Sequence, residues 1–254
     1  MNSQNHSLKN SITNLDHKGY HSVKNFINIA ELKMLNKLVD KNLKINNHNS
    51  FFITNDDLKK TFIGKKKFLN KFYGILHELS VLKKLNIFNE KKIYKNLRVI
   101  SRSKMHSNSF DFHFDAHKYT ILIPIKIPRS KNENQNGDLI IFPNLRNETT
   151  SLTKNIFYKI IFQSKIMKIL LKFLTTKNLI KKIKIKLKPG NIYIFNGFKS
   201  LHGNEPVDSG LVRATLLLHY YDLFEDSLLV SLNRNFRKYI ERKNINKNKM
   251  LKYN

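Results

Sequence analysis

The stretch Phe110-Asp-Phe-His-Phe-Asp-Ala-His-Lys-Tyr-Thr-Ile-Leu-Ile-Pro-Ile-Lys-Ile127 says more about the fold than any other part of this 254-residue chain. Its second half, from Tyr119 onward, is a long run rich in strand-forming residues. Its first half places His113 and Asp115 two residues apart. On an extended chain both side chains then leave the same side, while Phe112 and Phe114 turn the other way into packing. The pair therefore sits at the mouth of a β element. Alone it proves little, because a chain with ten histidines meets a His-x-Asp pair by chance readily enough.

Outward from this stretch the pattern is consistent. Asn136-Gly137-Asp138 is a turn signal, followed by a strand from Leu139 to Phe142 and the breaker Pro143-Asn144. Ile183, Ile185 and Leu187 alternate with Lys184, Lys186 and Lys188, the period of a half-buried strand. Pro189-Gly190 turns the chain into Asn191-Ile-Tyr-Ile-Phe195, and a last strand, Arg213 to Tyr221, is dense in leucine. Upstream, Leu97 to Ser103 reads as a strand. Leu32, Leu35 and Leu38 recur at helical spacing within Ile29 to Leu43. A second helix runs from about Lys66 to Leu85, with Phe68, Phe72, Ile75, Leu76, Leu79 and Leu82 on one stripe. Both helices are expected to pack on one face of a sheet. Residues 1–24 are mixed and polar, and are expected to fray or dock loosely.

The fold class is thus mainly β with flanking helices, an all-β barrel or jelly roll. Three parts are expected. Residues 1–94 form a helical support, and residues 95–222 the β core. A C-terminal helix, about Ser227 to Arg242, and a basic tail occupy 223–254. Residues 145–180 insert into the core and carry one basic amphipathic helix, about Asn155 to Phe173.

Composition narrows the chemistry. Hydrophobic residues at 41% and aromatics at 11% indicate a globular protein. There is no cysteine, so any metal must be held by His, Asp or Glu. The net charge of +29 suggests a polyanion or an anionic membrane surface. Most of the excess is lysine, in a chain also rich in Asn and Ile. That combination is what an AT-rich genome produces, and a solvated lysine-rich surface is the ordinary reading. Met1 to Asn10 lacks the apolar core of a signal peptide, and no window offers about 18 uninterrupted apolar residues. A cytoplasmic location is expected.

His202 is the candidate for a third ligand. It follows the strand ending at Phe195 and the loop Asn196-Gly197-Phe198. Two histidines and a carboxylate form the facial set of a non-haem Fe(II) site, leaving three positions for water, co-substrate and O₂. Zinc hydrolases use a similar set. Arg213 and Thr215 favour iron. If His202 and Arg213 lie on antiparallel neighbours, both face the same barrel interior. A guanidinium binds a carboxylate through two parallel hydrogen bonds, and a hydroxyl at i+2 adds a third. A keto-dicarboxylate chelating the metal would meet Arg213 with its far end. His117 offers a different pairing, or a supporting or substrate-facing role. His219 reads as a packed core histidine, and Thr120 and Asn196 as residues lining the pocket.

Taken in order, the pieces His113-x-Asp115, the strand with Thr120 and Pro124, Asn136-Gly-Asp-Leu-Ile-Ile-Phe-Pro143, Lys188-Pro-Gly-Asn-Ile-Tyr-Ile-Phe195, His202-Gly203 and Arg213-x-Thr215 resemble the Fe(II)/2-oxoglutarate dioxygenase superfamily. The resemblance covers about Leu97 to Asp222 and is similar to both the phytanoyl-CoA-dioxygenase-like and the prolyl-hydroxylase-like branches. It implies a double-stranded β-helix, a cupin-like jelly roll. It implies that His113, Asp115 and His202 bind Fe(II). Arg213 and Thr215, with Thr120 nearby, would bind 2-oxoglutarate. O₂ would then be used to oxidise a C–H bond, with release of succinate and CO₂. Because Asp115 is present, hydroxylation or desaturation is implied rather than halogenation.

Three functions compete. A small-molecule oxygenase fits the complete triad. A modifier of nucleic acid or protein is favoured only by the charge, and would show basic and aromatic residues at the metal mouth. A non-catalytic cupin-like module would show a damaged triad. The insertion, with Phe157, Tyr158 and Phe162 among Lys159, Lys165, Lys168 and Lys172, is where a substrate selector or membrane-surface contact would reside.

Overall fold

The computed structural model describes residues 15, 18–82, 93–101, 109–149, 151–224 and 227. The chain divides into two units, 1–221 and 222–254. In the second, only a short turn is described, in which Phe224 N–H donates to Asp222 Oδ1 and Ser227 N–H to the Phe224 carbonyl. Beyond Ser227 the expected C-terminal helix and tail lie outside the described residues.

The first unit is built on two antiparallel sheets. The larger contains β1 (Tyr20–Val23), β2 (Phe51–Ile53), β3 (Tyr94–Ile100), β4 (His117–Lys126), β7 (Ile192–Asn196) and β9 (Arg213–Asp222), in the order β1-β7-β4-β9-β3-β2. The smaller contains β5 (Leu139–Phe142), β6 (Ile183–Ile185) and β8 (Leu201–Asn204), in the order β6-β5-β8. From β4 onward the chain passes repeatedly between the two sheets, with β5 and β6 paired in the small one, and the result is a double-stranded β-helix.

The period of two in the strands sorts every residue to one of two environments. In the large sheet Leu97, Val99, Ile121, Ile123, Ile192, Ile194, Ala214 and Leu216 face outward into the main hydrophobic cluster. There they meet α1 (Ile29–Ile45) through Leu35, Val39 and Leu43, and α3 (Lys66–Leu82) through Phe68, Phe72 and Leu76. The short α2 (Asn55–Leu58) adds Leu58. Full burial of such side chains contributes about 1.5–3 kcal/mol each. This is why the helices are amphipathic and why β4 is apolar on both sides. Helix α1 starts at a capping box, in which Asn28 Oδ1 accepts from Glu31 N–H at 2.9 Å and Glu31 Oε2 accepts from Asn28 N–H at 3.1 Å.

The alternate residues point between the sheets. Leu122, Tyr193 and Phe195 from the large sheet meet Leu139, Ile141 and Ile185 from the small one. Toward one end this apolar filling gives way to the polar side chains of the candidate site.

The insertion differs from expectation in having two helices, α4 (Leu152–Gln163) and α5 (Lys165–Thr176). The break falls at Ser164, whose ψ of 150° leaves the helical region while its hydroxyl caps the next helix by accepting from Met167 N–H. A serine between two helical runs gains more as a cap than as an interior residue. The hairpin covers the outer face of the small sheet, with Leu171, Phe162 and Met167 packed among Phe112, Phe114, Ile140 and Phe142. Residues Tyr20–Val23 are not a frayed end but a strand paired with β7, in register Tyr20↔Phe195 to Val23↔Ile192.

Candidate metal centre

His113 and His202 exchange backbone hydrogen bonds, with His113 N–H to the His202 carbonyl at 3.0 Å and the reverse at 3.1 Å. This single bridge extends the small sheet past β8 and sets the two imidazoles side by side, 4.6 Å between ring centres. Asp115 is held by its own backbone, its N–H donating to the Gly197 carbonyl at 2.9 Å in the turn between β7 and β8. One ligand atom from each of His113, Asp115 and His202 lies within 4.8 Å of the others. His113 Nε2 is 3.8 Å from Asp115 Oδ1, and His202 Nε2 is 3.5 Å from Oδ2.

The tautomers follow from the partners. His113 Nδ1 lies 2.8 Å from the Asp111 carbonyl, and His202 Nδ1 lies 3.0 Å from the Ser200 carbonyl. A carbonyl only accepts, so each Nδ1 carries a proton, and each Nε2 is the ring atom turned toward the carboxylate. Burial lowers the His202 pKa to about 4, against the pull of Asp115, so its ring is neutral at physiological pH. Asp115 is the opposite case. Burial raises its pKa, but His202, His219, His113 and the Thr120 hydroxyl outweigh this and hold it well below the usual carboxylate range. Two imidazoles and one carboxylate, aimed at one point, suit a divalent ion.

Behind Asp115 runs a relay. Thr120 Oγ1 donates to Asp115 Oδ2 at 2.5 Å. A hydroxyl has one proton, so the His219 Nδ1–H, 2.9 Å away, donates to Thr120. His219 therefore supports the carboxylate instead of merely filling the core, and it lies 3.6 Å from Asp115 Oδ2. His117 stacks on His219 at 5.3 Å.

His202 and Arg213 are not strand neighbours, as the sequence reading supposed. His202 lies on β8, paired with β5 at Ile141, whereas Arg213 opens β9 in the other sheet. Since β8 and β9 belong to opposite sheets, the two residues face each other across the interior. Arg213 is buried, its Nε donating to the Gly137 carbonyl at 2.7 Å and its Nη1 to Thr215 Oγ1 at 3.4 Å. Burial, with a push from Arg98 and a weaker opposing pull from Asp138, brings the Arg213 pKa down to about 9. Among the described residues no carboxylate forms an ion pair with it, which is the condition of a buried cation awaiting an anion.

Three contributors were not legible in the sequence. Arg98 pairs in register with Thr215 and so shares its face of the sheet, and its buried Nε has no hydrogen-bond partner among the described residues. Arg146 is buried with its guanidinium 3.9 Å from the Phe198 ring centre and 4.2 Å from that of Phe114. It donates to the Phe198 carbonyl and to Asn155 Oδ1, tying α4 to the wall of the site. Gly197 has no room for a side chain, since a Cβ there would stand 2.2 Å from Asp115 Oδ2. Only the arginines' scarcity and the glycine's place in a loop signalled them.

No protein-family model matches the sequence, and no curated protein does. Solved structures do match. The α-ketoglutarate-dependent epimerase SnoN of nogalamycin biosynthesis, in complex with Fe³⁺, α-ketoglutarate and nogalamycin RO, aligns over 86% of this chain and 84% of its own, with 10% identity and a TM-score of 0.52. A prolyl 4-hydroxylase from Phytophthora capsici aligns over 93% and 74%, with 16% identity and a TM-score of 0.51. The non-haem α-ketoglutarate-dependent carbocyclase SnoK aligns over 88% and 90%, with 12% identity and a TM-score of 0.50. The chain has the double-stranded β-helix fold of these enzymes. At the mouth of that fold it carries the set His113-x-Asp115 and His202.

Proposed function

We propose that this protein is an Fe(II)- and 2-oxoglutarate-dependent dioxygenase that oxidises a C–H bond of a small-molecule substrate and releases succinate and CO₂. The observation that carries the reading is the pairing of a convergent two-histidine, one-carboxylate set with a buried arginine on the facing sheet that forms no ion pair among the described residues. Zinc hydrolysis has no use for the second feature.

In this reading His113 Nε2, Asp115 and His202 Nε2 hold the iron. The iron, when bound, supplies the open positions at which 2-oxoglutarate and O₂ meet. Arg213 and Thr215 bind the distal carboxylate of 2-oxoglutarate, with the Gly137 carbonyl fixing the guanidinium plane. The Thr120 hydroxyl, with His219 behind it, orients Asp115. The inward-facing Phe195, 4.8 Å from the His202 ring, keeps that flank of the site dry. The likeness to SnoN and SnoK, enzymes of nogalamycin biosynthesis, supports a small-molecule substrate.

The test is succinate formation from 2-oxoglutarate under air with Fe(II), across a panel of small molecules and a peptide and nucleic-acid set. Succinate should require both iron and 2-oxoglutarate and should rise with a small molecule. It should vanish in Asp115→Ala. A folded, iron-loaded protein that never consumes 2-oxoglutarate would overturn the proposal. Stimulation by peptide or nucleic acid alone would overturn the substrate class.

A further inference from the structure

Helices α4 and α5 are apolar on two sides. The inner side rests on the small sheet through Leu171, Phe162 and Met167. On the outer side, Ile156, Phe157 and Ile160 of α4 are 44%, 63% and 65% exposed, and Ile166, Ile169 and Phe173 of α5 are 81%, 70% and 52% exposed. Within each helix these residues recur at three- and four-residue spacing, so each set forms one stripe, roughly opposite the buried stripe. Single exposed apolar residues are ordinary, but an exposed apolar stripe on each of two consecutive helices marks a surface with a partner. Most of the large apolar side chains exposed among the described residues belong to this one hairpin and the loop after it.

The charge around the stripe selects the partner. From Thr149 to Asn204 the sequence contains twelve lysines and no acidic residue. Lys154, Lys165, Lys172 and Lys177 are exposed at the borders of the stripe. A second copy of the chain would bring this surface against its own likeness, cation to cation. Nucleic acid would meet the lysines but would leave Ile166 and Ile169 without an apolar environment. A bilayer with anionic headgroups accommodates both, taking the apolar stripe into the headgroup–acyl boundary and the ammonium groups at the phosphates. Each helix has twelve residues, well short of a span, and no described helix is long and apolar enough to cross a membrane.

We propose that the outward face of the α4–α5 hairpin is a docking surface for an anionic lipid bilayer, on which the hairpin lies flat. The lysines bring the protein to the surface, and the isoleucines and phenylalanines hold it there. The hairpin is fixed to the body at Arg146 and by the Lys168–Asp111 ion pair at 2.5 Å, so docking orients the whole unit and not a loose arm. The inference stands apart from the chemistry of the metal centre.

The test is co-sedimentation of the full chain with extruded vesicles of phosphatidylcholine alone, or containing about 30 mol% phosphatidylserine. The variant is the double substitution Ile169→Glu with Phe173→Glu. Both positions are exposed, and an unchanged melting curve confirms its fold. Binding is expected to be at least ~tenfold stronger on the anionic vesicles, and to fall by at least ~tenfold in the variant. Failure of the wild type to bind anionic vesicles overturns the proposal. So does equal binding by the variant, which would leave only a non-specific lysine effect. A wild-type dimer, broken by the same substitutions, in a protein that ignores vesicles would assign the stripe to a second copy instead.

Discussion

Asp115 is the residue on which the site is centred, and its surroundings leave it one position. Its backbone is pinned to Gly197 and its carboxylate to Thr120. A methyl group at Gly197 would overlap both Asp115 Oδ2 and Thr120 Oγ1. Gly197→Ala is therefore expected to displace the carboxylate and weaken Fe(II) binding about 10–100-fold, the range for lost support behind a metal ligand. Metal titration by calorimetry measures it, and unaltered affinity would show that the carboxylate does not face the ion. Arg213 makes the complementary case. Under the proposed function, Arg213→Ala removes the cation that meets the co-substrate but touches no metal ligand. The KM for 2-oxoglutarate should rise on the order of 100-fold while Fe(II) affinity stays within about twofold. Because burial and the push from Arg98 both disfavour the Arg213 cation, 2-oxoglutarate should also raise the melting temperature of the wild type. In the variant it should not.

At the level of elements, the hairpin α4–α5 depends on one buried arginine. Arg146 lies between Phe114 and Phe198 and reaches Asn155 in the first turn of α4. Arg146→Ala should cost about 2–4 kcal/mol of stability, because it strips partners from buried polar groups and opens a void between two rings. Hydrogen exchange should localise the loosening to 152–176, and an even loss of protection across the sheets would contradict this. The strands from Leu139 to Phe142 and from Arg213 onward were legible to within a residue, because turn signals bound them and their apolar period is regular. The start of α1 at Ile29 was legible too, while its end lies at Ile45 and not at Leu43. The break at Ser164 was not legible, since a capping serine and an interior serine look alike inside a run of isoleucine and lysine. The strand at Tyr20–Val23 was hidden for another reason. Its four residues are only half-buried, and only the edge of β7 makes them a strand. The ligand residues were readable from spacing, but their supports were not. His219 and Gly197 reach Asp115 through long-range pairing that no local pattern encodes, and Thr120, five residues away, was read as lining the pocket and not as a support.

For the molecule as a whole, the metal centre joins segments that fold far apart in sequence. His113 and Asp115 precede β4 of the large sheet, while His202 belongs to β8 of the small one. A bound ion would staple the two sheets at their open end. Saturating divalent metal should raise the melting temperature of the wild type and leave His202→Ala unchanged. Long-range strand pairing dominates this topology, so folding should be slow relative to a helical protein of similar length. The central claim is that His113, Asp115 and His202 hold iron while Arg213 holds 2-oxoglutarate beside it. Anaerobic visible spectroscopy tests it most directly. A weak charge-transfer band should appear only when Fe(II) and 2-oxoglutarate are both present, and His202→Ala should abolish it. Tight binding of zinc, with no band and no response to 2-oxoglutarate in the iron-loaded wild type, would contradict the account.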